Sequence, residues 1–397
     1  MAKSDDNGSR AYIARLLTLP RGTFFLLGPR GTGKTTWLRK NLPGAPVIDL
    51  LAEENYQRLL ANPDLFAAQV RALPKKSWVV VDEIQRLPNL LNEVHRLIEE
   101  SGRRFVLSGS SARKLRCGGV NLLGGRAVQR FMHPFIAEEL GKSFSLEDAL
   151  RFGLLPVIRN SPDREDALKA YGRLYLKEEI HAEALVRNLP GFARFLPIAA
   201  LFHARTINVA NIARECGVAR TTVTGYVEIL EETLMCFRVT AFEAKLRVKE
   251  RKLPKLYWFD PGVVRALTQT SGEPHPEERG SLFEGLVAQL IRANMDYRDI
   301  CDALHYWAPS ESAMTEVDFL LMRGRDSIAV EVKSGKNFDE SWCRGLRAIH
   351  GLKRLRRRIL VYPHGPALKT RDGIEVLSFD SFSTLLAGKG LWTPPRV

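Results

Sequence analysis

The chain has little that would tie it to a membrane or to a disulfide framework. No apolar run in its 397 residues reaches the length of a helical membrane span. The opening MAKSDDNGSR is polar and lacks the apolar segment of a signal peptide. Cysteine is scarce, with five in all: Cys117, Cys216, Cys236, Cys301 and Cys343. They are scattered, odd in number and in no metal-ligand spacing. That pattern excludes a disulfide scaffold and a cysteine metal site, and it leads us to expect reduced, mostly buried cysteines in a cytoplasmic protein. Internal repeats and low-complexity tracts are also missing. Acids are in deficit, 45 against 59 Lys and Arg, for a net charge of +14. An excess of this sign suits a polyanionic partner, nucleic acid first, although it also serves solubility. The hydrophobic fraction of 45% allows proper cores, and the length favours about two to four domains.

What is present begins with TFFLLGPRGTGKTTWLRK, which reads as a short apolar strand, a glycine-rich turn and a helix start. The turn Gly28-Pro29-Arg30-Gly31-Thr32-Gly33-Lys34-Thr35, followed by Thr36, matches the phosphate-binding pattern G-x-x-x-x-G-K-[ST] in full. Glycines let backbone N–H groups close around phosphates, and the helix N-terminus adds its positive dipole end. Lys34 is expected to reach the β- and γ-phosphates of ATP, and Thr35 to bind Mg²⁺. Further on, the apolar run of SWVVVDEIQRLP ends in Asp82 and Glu83. A buried parallel strand has this character, with ligands at its C-terminal end. Asp82 suits the Mg²⁺ shell and Glu83 suits the base that orients the attacking water. The next strand, RRFVLSGSSARKL, ends in Ser108 and Ser110, either of which suits a contact to the γ-phosphate or the water. Arg126, in LLGGRAVQRF, is a candidate arginine finger in cis or in trans, or else a structural arginine.

Taken together, GPRGTGKTTWL, VVVDEIQRLPNLL, VLSGSSARKL and LLGGRAVQRF resemble the prokaryotic AAA-type ATPases (AAA+ superfamily) that carry a C-terminal domain of unknown function with a nuclease-like fold. The likeness continues through VARTTVTGYVEILEETLMCFRV, KLPKLYWFDPGVV, LFEGLVAQLI and EVDFLLMRGRDSIAVEVKSG, from about residue 12 to residue 385. The resemblance implies an α/β architecture: a P-loop NTPase parallel sheet, a winged helix-turn-helix, and a C-terminal domain of restriction-endonuclease-like PD-(D/E)xK fold. FGLLPVI departs from it, lacking a second glycine next to an aromatic residue.

Residues 141–205 have helical period and read as a lid or connector, with Ser161 or Asp163 suited to cap a helix. NVANIARECG and VARTTVTGYVEILEETL then have helix-turn-helix layout, with a left-handed cap natural at Gly217. MCFRVTAF and KLPKLYWFD read as the strands of a wing. Lys245, Arg247, Lys249, Arg251 and Lys252 between them are placed to touch phosphates. Arg220, Thr221, Thr222 and Thr224 are the few side chains offered for base contact. A packing or protein-contact role for this module stands beside the DNA-binding one.

TEVDFLLM and DSIAVEVKS read as a hairpin. If Gly324-Arg325 is a two-residue turn, Arg323 pairs with Asp326, Asp318 with Glu331 and Glu316 with Lys333, all four of the last on one face. Carboxylates directly opposite each other repel, and a bound cation such as Mg²⁺ removes the objection. Glu284 lies early in the preceding helical run. By the resemblance, Glu284, Asp318, Glu331 and Lys333 form a nuclease-type metal site; domains of this fold also act as binding or scaffold units. GLKRLRRR, with Lys353, Arg354, Arg356, Arg357 and Arg358, suits either a backbone track or a solvated helix end.

The expected layout is therefore an ATPase core at 1–140, a helical connector at 141–205, a winged helix-turn-helix at 206–270 and a nuclease-like domain at 271–397. The leading expectation is an ATPase using ATP and Mg²⁺, acting on DNA mostly through phosphate contacts, away from membranes and open to homo-oligomerisation. The alternatives are an ATP-gated, Mg²⁺-dependent nuclease and a nucleotide-dependent switch that binds a protein.

Overall fold

The computed structural model describes residues 12–111, 123–175, 186, 188–244, 250–309 and 315–393. Cys117, part of the helical connector, and the wing cations Lys245, Arg247 and Lys249 lie outside them. Among the described residues no helix is long and apolar enough to cross a membrane.

The N-terminal part is built on five parallel strands: β1 (Phe24–Leu27), β2 (Val47–Asp49), β3 (Trp78–Asp82), β4 (Arg104–Gly109) and β5 (Val128–Phe131), in the order β2-β3-β4-β1-β5. The inner strands are apolar on both faces because both faces are covered. Phe25, Leu27, Val79, Val81, Phe105 and Leu107 enter one core, while Phe24, Leu26, Val80 and Val106 join Trp37 and Leu38 in another. The order puts β4 between β1 and β3. The loop after β1 and the acids after β3 thus face each other across the end of β4, at a switch in chain direction where ligands of α/β sheets bind.

A helical segment follows, with helices at Leu146–Phe152, Pro156–Arg159, Arg164–Ala170 and Leu189–Leu201. Asp163 caps the third, accepting the Asp166 N–H at 3.0 Å. Two helices, Val209–Cys216 and Arg220–Glu232, follow with residues 217–219 between them, and Gly217 ends the first in the left-handed conformation, φ 65°.

The remaining strands make one sheet: β6 (Arg205–Thr206), β7 (Cys236–Ala241), β8 (Lys255–Trp258), β9 (Ala303–Trp307), β10 (Val317–Arg323), β11 (Asp326–Val332), β12 (Leu355–Tyr362), β13 (Leu368–Lys369) and β14 (Glu375–Ser378). Their order is β13-β14-β12-β11-β10-β9-β7-β8-β6. The antiparallel strands β7 and β8, expected as a wing, do not stand apart. Strand β7 pairs in parallel with β9, Thr240 opposite His305 and Ala241 opposite Tyr306. The long helix Pro276–Arg298 packs against this sheet; one core runs from Phe135 to Leu391, and a second holds Trp307, Val317, Leu320, Ala329, Leu360 and Val376.

Candidate functional sites

The turn after β1 wraps the start of the helix Lys34–Asn41. Gly31 has φ 79°, and a Cβ there would lie 2.5 Å from Val157 Cγ1. At Gly28 a Cβ would lie 2.4 Å from the Met132 carbonyl oxygen. Glycine is thus required both by conformation and by close approach. The buried Lys34 Nζ donates to the carbonyls of Gly28 at 2.6 Å and Pro29 at 3.2 Å. Thr35 Oγ1 donates to Asp82 Oδ2 at 3.1 Å, and the Ser108 hydroxyl donates to Asp82 Oδ1. Glu83 follows at φ 59°, buried, and Gln85 Nε2 donates to its Oε2 and, at 3.2 Å, to Ser110 Oγ. The two serines therefore have different partners, Ser108 the acid Asp82 and Ser110 the amide that holds Glu83. Burial raises the Glu83 pKa above the ordinary carboxylate value, against the opposing pull of Lys34 and Arg30.

Two adjoining cavities, each about 380 Å³, open on this loop and share Gly33, Thr36, Pro156 and Asn160. Arg30, Lys34, Thr35 and Glu83 line one; Tyr12, Ile13, Trp37 and Phe135 line the other. The first suits a triphosphate and the second, more aromatic, suits a base. Arg126 is absent from both linings and pairs with Glu99 at the surface.

Residues from beyond the first sheet hold the loop. The Val157 N–H donates to the Gly31 carbonyl at 3.3 Å and the Tyr171 hydroxyl to the Arg30 carbonyl at 3.1 Å. The Arg15 side chain, 3% exposed, donates to the Thr32 carbonyl at 2.8 Å and to Tyr297 Oη at 3.3 Å. Leu154, two residues before Pro156, donates its N–H to Asp260 Oδ2 at 2.7 Å. The sequence reading passed over Arg15, Gln85, Pro156, Tyr171 and Asp260. Gln85 alone carried a local signal, standing two residues after Glu83.

A second cluster lies in the large sheet. The hairpin β10–β11 has Arg323 opposite Asp326 and Phe319 opposite Val330, with the turn at Gly324, φ 57°. Asp318 and Glu331 come next on the two strands and both are buried. Glu316 does not continue the ladder to Lys333. It precedes β10, whose pairing to β9 is irregular between Val317 and Leu320, and such irregularity re-aims a side chain. Its carboxylate turns to Lys255, with Arg251 at 3.8 Å. Lys255 Nζ also lies 2.9 Å from Glu284 Oε1 and 3.0 Å from Asp318 Oδ1. The Tyr257 hydroxyl donates to Glu284 as well, while Lys333 pairs with Glu331. Burial first, then the neighbouring Asp318, pushes the Glu284 pKa up to about 7 and Glu331 well above its ordinary value. Asp318 is desolvated too, yet Lys255 and Lys333 hold it below the ordinary value. Lys255 and Tyr257 were read only as part of a wing strand.

The basic run near residue 355 is largely neutralised. Arg357 is buried against Glu375, Arg358 pairs with Asp372 and Arg356 with Asp326. That pairing, and the position of three of these arginines on β12, replaces the solvated helix end.

Residues 20–141 match the family model of an AAA domain. Residues 143–273 and 279–382 match two models described as domains of unknown function, DUF8612 and DUF4143. The chain is similar to the uncharacterized protein Rv2008c of Mycobacterium tuberculosis, 25% identical over 368 residues that span 90% of this chain and 80% of that one. The uncharacterized protein Mb2031c of Mycobacterium bovis matches with the same figures. Among solved structures, the Orc1 protein of Aeropyrum pernix in complex with DNA matches at 16% identity and TM-score 0.24, over 62% of this chain and 86% of that one. Protein VC1899 of Vibrio cholerae matches at 14% identity and TM-score 0.23, over 93% and 97%. The AAA match and the loop geometry together define a P-loop nucleotide-binding unit of AAA type at residues 20–141.

Proposed function

We propose that the protein hydrolyses ATP at this loop and uses the cycle to shift its helix-turn-helix and C-terminal sheet against the nucleotide-binding unit while engaged on DNA. The convergence of Lys34, Thr35, Asp82 and Glu83 on one cleft carries the reading. Thr35 and Asp82 would hold Mg²⁺: their oxygens, 3.1 Å apart, are the hard donors this ion takes. When bound, it neutralises phosphate charge. Lys34 exchanges its two carbonyl acceptors for phosphate oxygens. Glu83, freed from Gln85, accepts a proton from the water that attacks the γ-phosphorus. The bond from that phosphorus to the β–γ bridging oxygen breaks, giving ADP and phosphate. A base with a raised pKa is better matched to neutral pH than an ordinary carboxylate.

Steady-state phosphate release tests the assignment. Lys34→Ala is expected to abolish ATP binding or turnover, and a variant that hydrolyses ATP at the wild-type rate would move the active site elsewhere.

The DNA part rests on the net charge of +14 and on the exposed Arg220, Thr221 and Thr224 at the start of the second helix. Fluorescence anisotropy with duplex DNA should show affinity falling steeply with salt. Lys252→Ala, at an exposed cation placed to touch phosphates, should reduce the slope of log K against log[salt] by about 1. Salt-independent binding, or none, would favour the switch that binds a protein.

A further inference from the structure

Two of the three acids that the restriction-endonuclease resemblance gives to a metal, Glu284 and Asp318, already contact a cation of the chain itself. Lys255 begins β8, whose neighbours are β6 and β7, with Thr206 and Val239 opposite it. Its backbone is therefore fixed within a sheet, and it is buried, 3% exposed. Nζ contacts Glu284, Glu316 and Asp318. An ammonium has three N–H donors and no acceptor, so three carboxylates saturate it.

Those same residues are the ones whose oxygens lie within 4.8 Å of one another, close enough to hold a metal ion. Mg²⁺ would need its oxygens at about 2.0–2.1 Å in octahedral geometry, and an ammonium in the midst of them bars that approach. Glu331 stands outside that set: one of its oxygens is taken by Lys333, and the other is buried with no hydrogen-bond partner among the described residues. With Lys255 in place, Glu284, Glu316 and Asp318 do not fit a bound divalent ion.

We propose that Lys255 is a built-in cation standing where a nuclease of this fold would bind its metal. The cluster is then an electrostatic anchor joining the wing strand β8, the helix Pro276–Arg298 and the hairpin β10–β11, and it does not cleave phosphodiesters. A lysine suits the place, because its compact charge carries three rotatable donors on a flexible stem.

Mn²⁺ binding to the full-length, nucleotide-free chain, followed by the EPR signal of the free ion, tests this. Comparison with Asp318→Asn isolates ions held by this cluster from any held at the phosphate loop. Wild type and Asp318→Asn are expected to bind Mn²⁺ alike. Lys255→Ala is expected to gain an ion with affinity about tenfold or more above wild type, and to melt at higher temperature when Mn²⁺ is added. A wild-type ion that Asp318→Asn removes would overturn the proposal. So would a folded Lys255→Ala chain that takes up no additional ion. If Lys255→Ala does not fold, the comparison of wild type with Asp318→Asn decides by itself. Nicking of supercoiled plasmid with Mg²⁺ gives a second readout: none is expected, and cleavage lost in Asp318→Asn would also sink the idea.

Discussion

Replacing Glu83 with glutamine is expected to lower ATP turnover by roughly 10²–10⁴-fold, the range typical of a lost general base, while ATP still binds. Glutamine keeps the size of the side chain and its place at φ 59° after β3, but it cannot take a proton from water. Lys34, Thr35 and Asp82, which are assigned to phosphate and Mg²⁺, are untouched. The fold-change should therefore fall on kcat, with nucleotide affinity unchanged or tighter because a negative charge has left the cleft. Phosphate release and a fluorescent-nucleotide titration separate the two. The wild-type pH profile adds a check. Because burial raises the Glu83 pKa, the base is protonated at higher pH than an ordinary carboxylate, and turnover should fall on the acid side starting above the usual value of 4.5. Turnover close to wild type in Glu83→Gln would take the base away from this residue.

The ease with which this site is read from sequence has a physical origin. A loop that closes backbone N–H groups around phosphate needs glycine where φ is positive or another backbone comes close, so its geometry is written in consecutive residues. The hairpin is legible for a similar reason: a two-residue turn at Gly324 sets the pairing from Arg323 and Asp326 out to Phe319 and Val330. Lys255 was not legible. It comes from a strand far along the chain from Glu316 and Asp318, and nothing in KLPKLYW tells that its first strand residue points into a carboxylate cluster. The pairing of β7 with β9 is equally non-local, as are the partners of Arg357 and Arg358. A run of cations reads alike whether it faces solvent or, as at Arg357, lies buried on Glu375. Ser108 and Ser110 show the same limit on a small scale: they alternate along one segment, and only the fold tells which meets Asp82.

Asp260→Ala is expected to cost about 2–4 kcal/mol of stability, from a lost helix cap and a second buried N–H left without an acceptor. Asp260 is fully buried and caps the helix Pro261–Thr268, its Oδ1 accepting the Val263 N–H at 3.2 Å. Its other oxygen accepts the Leu154 N–H, just ahead of Pro156 and Val157 at the nucleotide cavity. Gly153 is confined by the same carboxylate: a Cβ there would lie 1.8 Å from Asp260 Oδ1. Through these contacts the conformation of residues 153–157 depends on a residue 106 positions beyond Leu154 in the chain. The substitution should therefore also weaken any change in melting temperature that ATP produces. Titration gives an independent sign. Burial pushes the Asp260 pKa from 3.8 to about 6, despite the N–H donors that favour its charge. Between those values the folded chain keeps a proton that the unfolded chain has released. The stability contributed by Asp260 is therefore greatest below pH 3.8 and declines as pH rises towards about 6. Asp260→Asn has no proton to lose, so the stability of wild type relative to it should fall across that window. A difference that stays level with pH would mean that the carboxylate is ionised throughout, and that its backbone N–H donors outweigh its burial.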